Sequence, residues 1–333
     1  MPHSLDPQLV AAYRRADELQ AALGPAPKGI EEARRRAAEA RRWWNEGGPA
    51  MAAVDECEIP GPFRAIPAVV YRPVAARTPQ PVYVYLHGGG FRIGNPHSND
   101  RQMRELAAAW GGVVVSADYA HVPEYVFPRA VEECAAIYRY LAEHGASLGV
   151  DGRRIAFGGS SAGASVALGA ATHLGKEGAA YLRAGALVVG VYDDDGETGS
   201  MREYSGDPML LSRDSVMATL AAYAPEPWMR ADPRMRSVDA DMSLLPPLFL
   251  ASAEIDVLRD SSRALAAKLE AAGHPYRYKE YAGMAHLFFG FSRTVERAAE
   301  CVGDIAAFLS EHLPLGPAGK AEGEAPPDSP SRG

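Results

Sequence analysis

Two short motifs in this 333-residue chain combine reactive side chains with the glycines that would expose them. Gly159-Ser160-Ser161-Ala162-Gly163 matches G-x-S-x-G, in which a serine at a sharp strand-to-helix turn projects its hydroxyl above a sheet. Only Ser161 has glycine at both flanking positions two residues away, so it is preferred over Ser160 as the nucleophile. Chance alone gives roughly 0.2 such matches in a chain this rich in glycine, and the same residues would suit a helix N-cap. Context favours the turn: Ile155-Ala156-Phe157 reads as a strand, and an alanine-rich helix follows. The second motif, His87-Gly88-Gly89-Gly90-Phe91, follows the apolar run Val82–Leu86, and chance predicts it only roughly 0.01 times. Consecutive glycines leave backbone N–H groups free to face a developing oxyanion, and losing one such donor typically costs about 10²–10³ in rate. The N–H of Ala162, at the positive end of a helix, would add another donor.

A nucleophilic serine needs a histidine to take its proton and an acid to orient that histidine. Four histidines follow Ser161. His173 falls within the helix after the turn, His274 at a helix end before Pro275, and His312 in the last helix. His286 alone follows a strand, in the loop Gly283-Met284-Ala285, at the carboxyl end where α/β sites form. For the acid, Glu254-Ile255-Asp256 follows the strand at Leu248–Leu250. Asp256 is favoured; Asp260 suits an N-cap of the helix Ser261–Ala272, and Glu254 reads as solvent-facing.

The elements that must hold these residues read as an alternating α/β chain. Short β-type runs stand at Ala68–Tyr71, Val82–Leu86, Val113–Ser116, Arg154–Phe157, Ala186–Val189, Leu248–Leu250 and Tyr276–Lys279, and most are near-continuously apolar, which suits strands buried on both faces of a parallel sheet. Helical segments lie between them at about Asp100–Trp110, Arg129–His144, Ala162–Leu174, Arg259–Ala272 and Thr294–His312, giving a doubly wound sheet. Residues 1–50 form two amphipathic helices broken at Gly24-Pro25-Ala26-Pro27. Residues 51–313 form the catalytic domain, in which the alternation lapses over about 193–240, with one helix near Arg213–Tyr223, as an insertion would. The tail, residues 314–333, is rich in proline, glycine and charge and is expected to be disordered.

Composition narrows the class. A net charge of -8 argues against nucleic-acid binding, and the arginines between Arg34 and Arg42, interleaved with glutamates, read as the solvated face of a helix. Three widely spaced cysteines form neither a disulfide framework nor a zinc motif and suit a reducing, cytoplasmic setting. No signal-peptide run opens the sequence and no stretch is long enough to span a membrane.

Four of these features resemble the bacterial hormone-sensitive-lipase-like carboxylesterases of the α/β-hydrolase fold. They are His87-Gly88-Gly89-Gly90, Gly159–Gly163, Asp256-Val257-Leu258-Arg259-Asp260 and Gly283-Met284-Ala285-His286. The loop Asp118-Tyr119-Ala120-His121-Val122-Pro123-Glu124-Tyr125-Val126-Phe127-Pro128 is similar too, and the likeness runs from about Leu9 to Leu313. It implies an eight-stranded, mostly parallel sheet flanked by helices, with a helical cap from residues 1–50 and about 193–240. It also implies hydrolysis of short- to medium-chain carboxylic esters without a cofactor or metal, often as a homodimer. The family's pattern assigns the oxyanion donors to Gly89, Gly90 and Ala162. Trp43, Trp44, Gly88 and Ser160 are expected to contact the ester, the tryptophans competing with a role in packing helix to core. Two departures stand out: Ser160 replaces the usual Asp or Thr, and Ala120-His121-Val122 replaces Arg-Leu-Ala. The second is expected to make His121 a structural histidine. Acyl transfer, a lyase or cyclase step, or a ligand-binding receptor on a dead scaffold are the competing readings, and retention of Ser161, Asp256 and His286 weighs against the last.

Overall fold

The computed structural model describes residues 4–75 and 79–315. Eight strands form one sheet: β1 Ala53–Pro60, β2 Ala65–Arg72, β3 Gln80–Leu86, β4 Val113–Ala117, β5 Val150–Ser160, β6 Leu182–Val188, β7 Leu248–Ile255 and β8 Tyr276–Ala285. Their order is β1-β2-β4-β3-β5-β6-β7-β8, with β2 antiparallel to both its neighbours and every other pairing parallel. The central strands are buried along nearly their whole lengths, the reason their sequences carry no polar alternation.

Strand β1 has no counterpart among the apolar runs. It is an edge strand with Asp55, Glu56 and Glu58 exposed and only Ile59 fully buried, and that charge blunts an edge open to pairing with other chains.

Among the described residues ten α-helices accompany the sheet: α1 Pro7–Ala22, α2 Ile30–Asn45, α3 Asp100–Trp110, α4 Arg129–His144, α5 Ala162–Leu174, α6 Gly199–Tyr204, α7 Arg213–Tyr223, α8 Pro227–Arg230, α9 Arg259–Ala271 and α10 Glu296–His312. Side chains of α4, α5, α7 and α9 share one apolar core with Val82, Val84 and Leu86 of β3. Those of α1, α3 and α10 share the other with Tyr83 and Tyr85, the alternate residues of the same strand.

The segment between β6 and β7 holds three short helices where the sequence indicates one. Thr198 and Ser212 cap α6 and α7 by accepting from Met201 N and Ser215 N. Asp260 does not cap α9: the N-cap is Leu258, and the Asp260 carboxylate lies inside the first turn, where it accepts from Ser200 N at 2.8 Å and ties α6 to α9. Nor is the arginine-rich stretch of α2 merely solvated. Arg34 pairs with Glu124 and donates to Val122 O, Arg36 donates to Gly24 O, and Arg41 donates to the carbonyls of Ser98 and Gly290. Arg35 and Arg42 alone of the five stay exposed. Trp44 is the sole buried residue of α2, so the helix is held largely by these guanidinium contacts.

Residues 316–333 of the expected disordered tail lie outside the described residues. Among the described residues no helix is long and apolar enough to cross a membrane.

Close packing at the centre of the sheet yields a stability prediction. A Cβ on Gly158 would meet Ala186 O at 1.9 Å and the Tyr83 hydroxyl at 2.3 Å. Gly158→Ala is therefore expected to lose roughly 2–4 kcal/mol of stability, read from the shift of the urea unfolding midpoint at constant slope.

Candidate active site

Ser161 sits where β5 ends and α5 begins, with φ 53° and ψ -126°. That is a rare conformation for a residue with a Cβ and costs of order 1–3 kcal/mol unless its surroundings fix it. They do. Ser161 N donates to Val188 O at 2.8 Å. A Cβ at Gly159 would meet Leu86 O at 2.4 Å, and one at Gly163 would meet the same oxygen at 2.1 Å. The two glycines of G-x-S-x-G are thus required because the turn presses against the end of β3.

His286 and Asp256 meet through strand register. In β7 and β8, Ala253 pairs with Tyr281, but Ile255 pairs with Ala285. The surplus residues of β8 bulge at Gly283, which takes φ 71°. After Ile255 comes Asp256 and after Ala285 comes His286, so neighbouring strand ends present both side chains together. Glu254 holds the bulge, accepting from Gly283 N at 2.7 Å; it is no mere solvent-facing acid. On the other side Asp6 N donates to Gly283 O at 2.9 Å.

The result is a continuous relay. His286 Nδ1 lies 2.8 Å from Asp256 Oδ2, and His286 Nε2 lies 2.8 Å from Ser161 Oγ. A carboxylate can only accept, so Nδ1 carries the proton, Nε2 is the free base, and the serine hydroxyl donates to it. Asp256 is 2% exposed, and its second oxygen accepts from Leu258 N at 3.0 Å. The other histidines that follow Ser161 are elsewhere: His173 lies against Arg234, His274 faces Pro246 O, and His312 packs at a tilt against Phe308.

Gly89 and Gly90 take φ 127° and 60°. The N–H groups of Gly89, Gly90 and Ala162 find no protein acceptor among the described residues. Each of these three residues borders a cavity that also contains Ser161 and His286.

Two clefts meet at that point. One, of about 310 Å³, runs beneath α1 and α2 and is lined by Ala16, Ala37, Trp44, Phe289 and Phe291. The other, of about 440 Å³, runs between Ile30 and Ala33 of α2 and Val216, Thr219 and Leu220 of α7. Gly88 and Ser160 line the first cleft, as does Trp44. Trp43 does not: it lies between the guanidinium groups of Arg15 and Arg293, with centroid distances of 5.0 and 3.9 Å. Consecutive helical residues point about 100° apart, so only one of the pair reaches the cleft. Ser160 has a partner that sequence did not indicate. Its hydroxyl lies 2.8 Å from the Tyr85 hydroxyl, which donates to Asn99 Oδ1 at 3.0 Å. Asn99 Nδ2 donates to Gln102 Oε1, and Gln102 Nε2 to Ser292 Oγ, completing a buried polar chain under the first cleft.

The comparisons agree with this geometry. Residues 83–290 match a family described as alpha/beta hydrolase fold. The chain is 33% identical to an acetyl esterase of Salmonella choleraesuis over 315 residues, covering 90% of this chain and 95% of that protein. This chain belongs to the hormone-sensitive-lipase-like carboxylesterases. A hyperthermophilic esterase from the archaeon Pyrobaculum calidifontis superposes with a TM-score of 0.84 at 32% identity, covering 92% of this chain and 98% of the other. A thermostable esterase from Pseudomonas putida gives 0.83 at 28% identity, covering 95% and 99%. The chain is a carboxylic ester hydrolase, and relatives that are themselves esterases lend no support to a lyase, an acyltransferase or a receptor.

The bulge in this carboxylesterase provides a direct check. Glu254→Ala leaves Gly283 N without its acceptor and is expected to cost about 1–3 kcal/mol, measured by thermal denaturation. Glu254→Gln, whose side-chain oxygen still accepts, should recover most of that loss.

Proposed function

We propose that this carboxylesterase hydrolyses short- to medium-chain esters through an acyl-enzyme on Ser161. The observation that carries this reading is the unbroken relay Asp256–His286–Ser161 facing three unpaired N–H groups. His286 Nε2 takes the hydroxyl proton as Ser161 Oγ attacks the ester carbonyl. The carbonyl oxygen gains the negative charge and binds the N–H groups of Gly89, Gly90 and Ala162. His286 then returns its proton to the departing alkoxide as the C–O bond breaks. Water repeats the sequence on the acyl-enzyme, giving the acid and restoring Ser161. Asp256 holds the imidazole in one tautomer and stabilises the imidazolium that forms at each step.

Acyl and alkoxy groups leave the tetrahedral centre in different directions, and the two clefts that share Ser161 and His286 offer a place for each. Their volumes lie toward the lower end of small-molecule sites, about 300–1,000 Å³, which supports small substrates. The acetyl esterase relatives support the short end of that range. In the same reading residues 1–50 and about 193–240 act as the cap over a catalytic domain spanning 51–313. The enzyme is a cytoplasmic homodimer, and analytical ultracentrifugation tests the assembly.

Turnover of p-nitrophenyl esters from acetate to palmitate should peak at short chains and vanish in Ser161→Ala. A maximum at palmitate would overturn the chain-length assignment. Asp256→Asn should lower kcat by roughly 10⁴, whereas Asp260→Asn should stay near wild type, read from steady-state kinetics. The opposite ranking would move the acid to Asp260.

A further inference from the structure

A second cluster of ionisable groups lies behind the Gly88–Gly90 loop, outside the relay. We propose that His87, Asp118 and His121 form a binding site for a divalent transition-metal ion of the zinc class. His87 Nε2 lies 3.3 Å from Asp118 Oδ1, and His121 Nε2 lies 3.5 Å from the same oxygen. The three donor atoms fall within 4.8 Å of one another. A tetrahedral zinc ion with bonds of about 2.0–2.2 Å holds its ligand atoms about 3.3–3.6 Å apart. Two of the three separations match edges of such a tetrahedron, and the third lies within 4.8 Å.

The protonation pattern points the same way. His87 Nδ1 faces Gly88 O at 2.8 Å, so Nδ1 carries a proton and donates it there. Nε2 then turns its lone pair toward a carboxylate, unless a cation intervenes. The 3.3 Å separation is long for a charged N–H···O bond, which usually spans about 2.7–2.9 Å. His121 is buried, and its Nε2, 3.5 Å from the same oxygen, has no hydrogen-bond partner. A buried polar atom left so costs about 1–3 kcal/mol unless something occupies it. Local charge leaves room for a cation: Arg64 bonds Asp118 and Glu133, and Arg34, whose charge also acts on Asp118 and His121, pairs with Glu124, so two guanidinium groups face three carboxylates.

Surrounding contacts suit a metal centre. The Nδ1–H to carbonyl bond of His87 and the hold of Arg64 on Asp118 Oδ2 are the outer contacts that orient ligating imidazoles and carboxylates. The Asp118 side chain is 16% exposed, and a water reaching that side is the fourth ligand the proposal calls for. The Tyr119 hydroxyl donates to His87 O at 2.9 Å, so an ion here would brace the strand end that carries Gly89 and Gly90 without touching the relay. His121 belongs to the tripeptide that departs from the family's Arg-Leu-Ala, and it supplies the third ligand.

The test is zinc titration of the chelator-treated full chain by calorimetry, with cobalt(II) as a spectroscopic probe. One site of micromolar or better affinity is expected. Cobalt should give the intense visible d–d absorption of four-coordinate geometry, and saturating zinc should raise Tm by roughly 3–6 °C. His121→Leu should weaken zinc binding at least 100-fold while p-nitrophenyl acetate hydrolysis persists; Asp118→Asn provides a second variant should the first unfold. Absence of stoichiometric zinc in the wild type would overturn the proposal. So would undiminished binding in folded His121→Leu, which would place the ion on a surface pair such as His97 and Glu56. Because zinc affinity is read apart from turnover, this result stands or falls independently of the role given to Ser161.

Discussion

The close approach of the Gly159–Gly163 turn to the end of β3 is the contact from which the site is built. Leu86 O lies where a Cβ at either glycine would have to go. The approach forces α5 to start directly above the sheet and leaves Ser161 no relaxed backbone conformation. A strained serine at this point is a half-buried one whose Oγ meets His286 Nε2, and the neighbouring N–H of Ala162 finds no acceptor among the described residues. The strain is sustained by the two apolar cores on either side of β3, whose alternate residues anchor helices on opposite faces.

Charge is placed around that contact in contrasting ways. Asp256 is buried, yet both its oxygens are engaged, by His286 Nδ1 and Leu258 N, so its desolvation is offset by directed hydrogen bonds. The polar chain from Ser160 through Tyr85, Asn99 and Gln102 to Ser292 carries no formal charge and satisfies its members in series. Beside it, Arg41 lines the first cleft without a carboxylate partner among the described residues. Burial pushes its guanidinium down to about 10, and two backbone carbonyls hold it in place.

What sequence made readable follows from how local each signal is. The buried strands announce themselves as apolar runs, and the helices end at glycines such as Gly111, which takes the left-handed conformation beyond α3. The relay residues were readable because each follows a strand. β1 was not, since an exposed acidic edge carries no apolar signal. The function of Glu254 was hidden because its partner is a backbone N–H at a bulge, and a bulge is a matter of register between two strands. Trp43 and Trp44 differ only in helical phase, which composition does not reveal. Asp260 lies two residues beyond the true N-cap, Leu258, because α9 starts earlier than its polar residues suggest.

The Arg41–Gly290 contact joins residues 249 positions apart. The walls of the first cleft therefore come from both ends of the chain, helices made first and a loop made nearly last. During synthesis α1 and α2 must wait, with Trp44 unburied, until β8 and the segment around Phe291 leave the ribosome. A nascent chain that stops before Ala285 carries Ser161 but neither His286 nor the Phe289 and Phe291 wall of the first cleft, so relay and cleft are completed together.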